Sequence, residues 1–307
     1  MNLLTSISQP KAEYLFRPSQ IIQRLSCQWA KDVPEYLEVK LPSGLPIRIN
    51  PRESIGSCIW RVGIFELHVS EAIYRLLEPG EWAVDVGANI GHMSAIMAQR
   101  VGTSGKVLAF EPQPRVLQEL HYNVALWAKN PNLATILVYP VALSDSSREG
   151  LLGLPAELNK NGGLASVVTA ETDKTKFADS VSITLEKFDA VVPANKPIGL
   201  LKIDVEGHEL AVLNGATEHV RNGFIRDIVF EEYKTYPNAT TDFLESNGYT
   251  VYYLSAKLFG LAIGSVKENY NFPYYTAPTY LATRDPARLT KRLSKKGWAI
   301  LRTRYKK

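Results

Sequence analysis

The chain has 307 residues, 45% of them hydrophobic and 21% charged, which is ordinary for a globular protein and enough for one large α/β domain with additions or two small ones. No apolar run approaches the roughly 20 residues of a membrane span, and Cys27 and Cys58, far apart and outside any C-x-x-C pair, argue against a disulfide framework or a zinc site. The formal net charge of +4 misleads: nine Lys or Arg and no acid fall between Ala287 and Lys307, and the rest carries 26 basic against 31 acidic residues, a body of about −5.

The N-terminus, MNLLTSISQPKAEYLF, lacks a basic start followed by a sustained apolar core, so no signal peptide is expected and a reducing cytoplasm fits. The spacing predicts a helix over 19–31, a strand pair over 37–50 around Pro42-Ser43-Gly44, and a helix over 65–77 that stops at Pro79-Gly80. A sheet then begins at Trp82. Strands are expected over 82–86, 106–110, 134–141 (ending at Ser144-Asp145), 198–204, 226–230, 251–254 and 279–282. Helices are expected over 91–100, 115–127, 209–220 and 241–247. Residues 146–180 break the alternation, with a turn-rich Asn159-Lys160-Asn161-Gly162-Gly163 and short strands at 166–169 and 181–184; they read as an insertion or hairpin near the site mouth. Alternating strands and helices imply a doubly wound, mostly parallel sheet of seven strands. The expected organisation is an N-terminal extension (1–78) packed on the core, a main domain (79–284) and a basic tail (285–307).

The most informative stretch is Val84-Asp85-Val86-Gly87-Ala88-Asn89-Ile90-Gly91: a strand climbing into an acid, a glycine turn and a helix start. Gly87 lets the backbone turn and approach a ligand, Gly91 permits close packing of the next helix, and Asn89 tolerates left-handed geometry. A dinucleotide site wants G-x-G-x-x-G, with helix amides free for a pyrophosphate. Here Asp85 stands at the first glycine. An anion there repels a pyrophosphate and attracts the cationic end of a methionine-like ligand, directly or through water. Glu111, ending the second strand before Pro112, is suited to the two hydroxyls of a ribose. Together they point to S-adenosylmethionine rather than a nicotinamide dinucleotide; the structural alternative is a helix-capping Asp85 and a solvated Glu111.

With Ala109-Phe110-Glu111-Pro112, Val141-Ala142-Leu143-Ser144-Asp145 and Leu201-Lys202-Ile203-Asp204-Val205-Glu206-Gly207-His208-Glu209 in the same order and spacing, the chain resembles the FkbM-type methyltransferases over roughly residues 44–253. The resemblance implies a class I, Rossmann-like methyltransferase fold, S-adenosylmethionine as donor, and an oxygen of a sugar, polyketide or similar small metabolite as acceptor. It also implies that the Ser144-Asp145 turn lies near the adenine, and that Glu66 stands where the family often has an acid, reaching the ligand's amino group or the acceptor.

Asp204, Glu206, His208 and Glu209 crowd the end of the fourth strand. In the first mechanism Asp204, Glu206 or His208 is a general base for the acceptor hydroxyl, with Asp204 the first choice. In the second, Asp204 with Glu231 or Glu232 holds Mg²⁺ or Ca²⁺, which lowers the acceptor's pKa. The base mechanism is preferred; a helix-capping role competes for His208. Tyr233, Tyr236, Tyr252, Tyr253, Tyr270, Phe272, Tyr274 and Tyr275 are candidates for a sugar-binding cleft, against a core-and-rim alternative. The tail carries Leu289, Leu293, Trp298, Ile300 and Leu301 among its cations; weak contact with an anionic membrane surface, contact with nucleic acid, and a solvated or disordered terminus are its readings. The leading function is methylation of a small-molecule or glycan acceptor. The second reading is a nucleic-acid methyltransferase that uses the basic tail, against which the fourth strand lacks an Asn/Asp-Pro-Pro-aromatic run; a non-catalytic nucleoside-binding regulator is the alternative from another class.

Overall fold

In the computed structural model, which describes residues 12–29, 32–155, 165–169, 175, 177–268 and 278–302, the chain opens with helices α1 (Ala12–Phe16) and α2 (Ser19–Trp29). A hairpin of β1 (Leu37–Lys40) and β2 (Pro46–Ile49) follows. Ile47 and Ile49 are buried while Pro46 and Arg48 between them are half-buried, the period-2 pattern of a strand packed on one face. Then come α3 (Ser54–Val62) and α4 (Leu67–Leu76). Helix α3 had no sequence expectation; it ends at Gly63, whose φ of +91° supplies a left-handed stop.

From residue 82 the pattern becomes β3 (Trp82–Val86), α5 (His92–Val101), β4 (Lys106–Phe110), α6 (Pro114–Trp127) and β5 (Thr135–Tyr139). A second unit intervenes: β6 (Ala142–Ser144), β7 (Arg148–Pro155), β8 (Ser166–Val167), β9 (Phe177–Lys187) and α7 (Phe188–Val191). The main pattern resumes with β10 (Ile198–Ile203), α8 (Glu209–Gly215), α9 (Thr217–Arg221), β11 (Ile225–Glu231), α10 (Ala239–Ser246), β12 (Thr250–Lys257), β13 (Gly260–Ser265) and β14 (Thr279–Thr283), and closes with α11 (Pro286–Leu293) and α12 (Ala299–Arg302).

Among the described residues the main sheet has eight strands where seven were expected, in the order β13-β12-β14-β11-β10-β3-β4-β5. The strands from β11 to β5 pair in parallel and the three remaining pairings, β11 with β14, β14 with β12 and β12 with β13, are antiparallel; β13, hairpinned onto β12, is the addition. Each central strand is buried on both faces. Val107 and Ala109 of β4 enter one core with α4 and α5, while Leu108 and Phe110 enter the other with α8. Fully burying one such side chain contributes roughly 1.5–3 kcal/mol, and a one-residue slip would exchange the two sets between cores.

Three further expectations are corrected. The third strand does not run on to Ser144: Pro140 lacks the N–H that would continue the ladder, and 142–144 pair with β9 in a separate four-stranded sheet. The helix over 209–220 is two helices, with Gly215 pressed so closely on β6 that a Cβ there would lie 1.9 Å from the Ser144 carbonyl oxygen. The basic tail is not a solvated terminus over its described part. Leu289, Leu293, Trp298, Ile300 and Leu301 are all buried in the first core. Glu71 of α4 accepts from the Ala299 and Ile300 amides at 2.8 Å, capping α12, and Arg75 donates to the Arg292 carbonyl in the last turn of α11 and to the Lys295 and Gly297 carbonyls of the connecting loop. The turn at 159–163 lies outside the described residues, as do 303–307.

Candidate functional site

The direction of strand addition reverses between β3 and β10, and ligands of open α/β sheets lie at the carboxyl ends of the strands at such a point. A cleft of about 1130 Å³, open to solvent, lies there. Gly87 turns the chain out of β3 at φ +73°, and a Cβ on it would meet the Asp204 carbonyl oxygen at 1.9 Å, so no other residue fits. At Gly91 a Cβ would lie 2.7 Å from Leu120 and 3.0 Å from Trp127, which is the close helix packing expected of it. Between them Asn89 is left-handed (φ 50°), and its side chain accepts from the Ile90 amide. Glu111 projects from the end of β4, where its two oxygens accept from the Asn89 and Gln113 amides at 2.9 Å. Burial nonetheless raises its carboxyl to about 7.

The opposite end of the cleft gathers Glu66, Lys202, Asp204, Glu206 and Glu231. Lys202 reaches up from β10 to within 3.1 Å of Asp204 and 3.5 Å of Asp85, and donates to the Gly87 carbonyl at 3.1 Å. Burial alone would lower the lysine; the Asp204, Asp85 and Glu66 carboxylates outweigh it and hold the ammonium charged. Glu66 and Glu231 are hydrogen-bonded to each other, which two carboxyl groups achieve only by sharing a proton. Burial, then neighbouring carboxylates, raises both carboxyls well above the usual carboxylate range. Glu206 accepts from the Tyr233 hydroxyl at 2.7 Å, and burial raises its carboxyl too. Of the four non-glycine residues with positive φ among those described, Glu66, Asn89 and Glu206 line this cleft and only Asn195 does not. Backbone strain of this kind concentrates at functional sites.

Several expected site residues stand elsewhere. Asp85 is fully buried behind the cleft, bonded to Ser94 Oγ at 2.6 Å and paired with Lys202; it touches the ligand space only through the lysine. Ser144 is buried under His208, its Oγ 2.9 Å from the imidazole Nε2, and Asp145 is exposed. The cleft wall near them is Val141, Ala142 and Leu143 instead. His208 does line the cleft. It makes no capping bond to α8, and burial lowers its pKa, so it is neutral near pH 7. Glu209 accepts from the Gly207 and Val205 amides and so pins the loop that carries Asp204.

Glu231 faces the cleft but Glu232, one residue on, points to the other face, accepting from Thr240 at 2.7 Å and the Lys234 amide at 3.0 Å. With Lys202 flanking Asp204, the metal set Asp204, Glu231 and Glu232 does not assemble, and among the described residues no three His, Cys, Asp or Glu are grouped to hold a metal ion. Tyr233 is at the cleft's acid end; Tyr253 packs on Tyr280 in the core, and Tyr270, Phe272, Tyr274 and Tyr275 lie outside the described residues. Sequence reasoning missed His92 and Phe65 of the lining. His92 is buried directly after Gly91, within reach of Ser70 Oγ at 3.4 Å, and burial lowers it to about 3. Its place right after the glycine turn was the available signal. Leu152, Ala165 and Val167 bring the inserted sheet to the cleft.

The methyltransferase FkbM domain model matches residues 85–251, more than half of the chain. The chain belongs to the FkbM methyltransferases. S-adenosylmethionine is the donor that membership implies. Among relatives, the chain is 31% identical over 172 residues to the hexuronic acid methyltransferase AglP of Haloferax volcanii, covering 53% of this chain and 62% of that one. It is 32% identical over 184 residues to the methyltransferase sdnD of Sordaria araneosa, covering 52% and 68%. The chain therefore spans about two thirds of the length of these relatives. A solved methyltransferase FkbM from Methylobacillus flagellatus is similar over 70% of this chain and 50% of that one, at 15% identity and a TM-score of 0.42. In this FkbM methyltransferase, no helix among the described residues is long and apolar enough to cross a membrane.

Proposed function

We propose that the protein transfers the methyl group of S-adenosylmethionine to a hydroxyl oxygen of a sugar, glycan or secondary metabolite. The observation that carries this reading is the partly exposed carboxylate of Asp204, set in the same cleft as Glu111 with buried Lys202 at 3.1 Å. The lining suits the donor. Glu111 keeps lone pairs for ribose hydroxyls, Gly87 opens the backbone to close approach, Ile90, Phe110 and Leu143 offer apolar surface for a heteroaromatic base, and the carboxylates answer a cationic end. When bound, the sulfonium supplies an already activated methyl.

What remains for the chain is to orient the acceptor and accept its proton. Asp204 would accept the acceptor's O–H hydrogen bond and take that proton as the new C–O bond forms. Lys202, held charged, fixes the Asp204 carboxylate in place. Glu206 and His208, on the same loop, would position the rest of the acceptor. The name of the AglP relative supports a sugar acceptor.

Asp204→Asn tests the reading. Donor binding measured by calorimetry should be nearly unchanged, while turnover falls by roughly 10²–10⁴-fold, the usual worth of a general base. Undiminished turnover would remove Asp204 from the reaction.

A further inference from the structure

Helix α2 faces the wrong way for a helix that completes a core. Among its described side chains Gln20 and Cys27 face inward and Arg24 is half-buried, whereas Ile21, Ile22 and Leu25 point outward at 45%, 73% and 41% exposure. Leu15 of the adjoining α1 adds a fourth exposed apolar side chain, at 53%. Positions 21, 22 and 25 share one helical face. Clustered exposed apolar residues of this kind mark an interaction surface, unlike single ones scattered over a protein.

The chemistry around the patch says what covers it. Arg17 and Arg24 of the same segment are half-buried, Arg24 bonded to the Tyr14 hydroxyl, while Arg61 of the neighbouring α3 is exposed beside Cys27; Glu13 is the acid of the two helices. Helix α1 also leads to the tail: Arg302 of α12 stacks over Phe16, with 4.8 Å from guanidinium carbon to ring centroid. There a cleft is lined, among the described residues, by Arg75, Arg100, Arg292, Lys295, Lys296 and Arg302 and by no carboxylate. Arg75 and Arg292 are paired with Glu71 and Glu78, but Lys295 and Lys296 are exposed. An apolar helix face rimmed by cations is the pattern of a segment lying in the interface of an anionic bilayer. A second copy docked on the same patch across a two-fold axis would instead bring these cations face to face.

We propose that α1 and α2, with the cations of the C-terminal cleft, form a face that docks peripherally on an anionic lipid surface. The apolar side chains enter the interface and Lys295 and Lys296 contact the headgroups. The tail contributes charge only, because its own apolar residues are buried in the core.

Flotation of the full chain with vesicles of phosphatidylcholine alone, or mixed with phosphatidylglycerol, tests this. Binding is expected on the mixed vesicles and not on the neutral ones. The triple variant Ile21→Ser/Ile22→Ser/Leu25→Ser, at exposed positions, should lose at least about tenfold in partitioning with its melting temperature unchanged. Lys295→Ala/Lys296→Ala should lose on the order of fivefold for each charge, as should raised salt. No binding to either vesicle, or equal binding to both, would overturn the proposal. So would a concentration-dependent dimer that the triple variant dissolves, since that makes a second copy the occupant.

Discussion

The Lys202 ammonium lies 3.1 Å from the Asp204 carboxylate at the end of β10, and this contact ties the buried floor of the cleft to its exposed acid. Asp204 retains 27% side-chain exposure whereas Lys202 retains 6%, so the lysine is the structural half of the pair and the aspartate the reactive half.

Removing the lysine should therefore cost stability before it costs chemistry. Lys202→Met leaves Asp85, with no exposed surface, without its cation. Breaking a buried pair from one side typically costs about 3–5 kcal/mol. Urea denaturation should show a loss of that order, and a loss below about 0.5 kcal/mol would be ordinary surface behaviour and contradict the assignment.

Glu111 predicts a pH dependence. Its carboxyl is raised to about 7 in the folded chain, against roughly 4.3 when unfolded. The folded state thus holds this proton more tightly. The stabilising contribution is complete below the unfolded value and is lost as pH rises through about 7. Glu111→Gln cannot titrate. Between pH 5 and 8, in the absence of donor, the melting temperature of the parent should fall relative to that of the variant. A difference independent of pH would mean that Glu111 is not buried as described.

The central strands were legible in the sequence because their physics is local: 82–86 and 106–110 are apolar runs punctuated by Gly87 and Gly105, and both appear at the expected residues. The backbone roles of Gly87, Asn89 and Gly91 were legible for the same reason, since turn geometry or close packing demands each of them; Glu111 was legible as the acid that ends β4 in the cleft. What the sequence left unread was decided by distant partners. Ser144 and Asp145 were expected at the adenine, but Pro140 diverts the chain into a second sheet and Ser144 meets His208 from 64 residues away. The Glu66–Glu231 pair joins the start of α4 to the end of β11, which no spacing reveals. Asp85 was read by its charge; it is buried behind the cleft and paired with Lys202 from the neighbouring strand.

The tail gives a prediction opposite to that of a dispensable terminus. Trp298 is 1% exposed, its ring N–H donates to the Leu258 carbonyl at 3.1 Å, and the α12 amides beside it are capped by Glu71. Trp298→Ala should destabilise the chain by about 3–5 kcal/mol in chemical denaturation, the range for emptying a large buried aromatic site. A change within about 0.5 kcal/mol would show the tail to be undocked.

The most direct measurement incubates the protein with S-adenosylmethionine labelled in its methyl group and a size-fractionated lysate that lacks the protein, with Asp204→Asn in parallel. Label recovered as a methyl ether in the small-molecule or glycan fraction, and absent with the variant, is the expected result. Label confined to nuclease-sensitive material, or transferred equally by Asp204→Asn, would contradict sugar or metabolite O-methylation at this cleft.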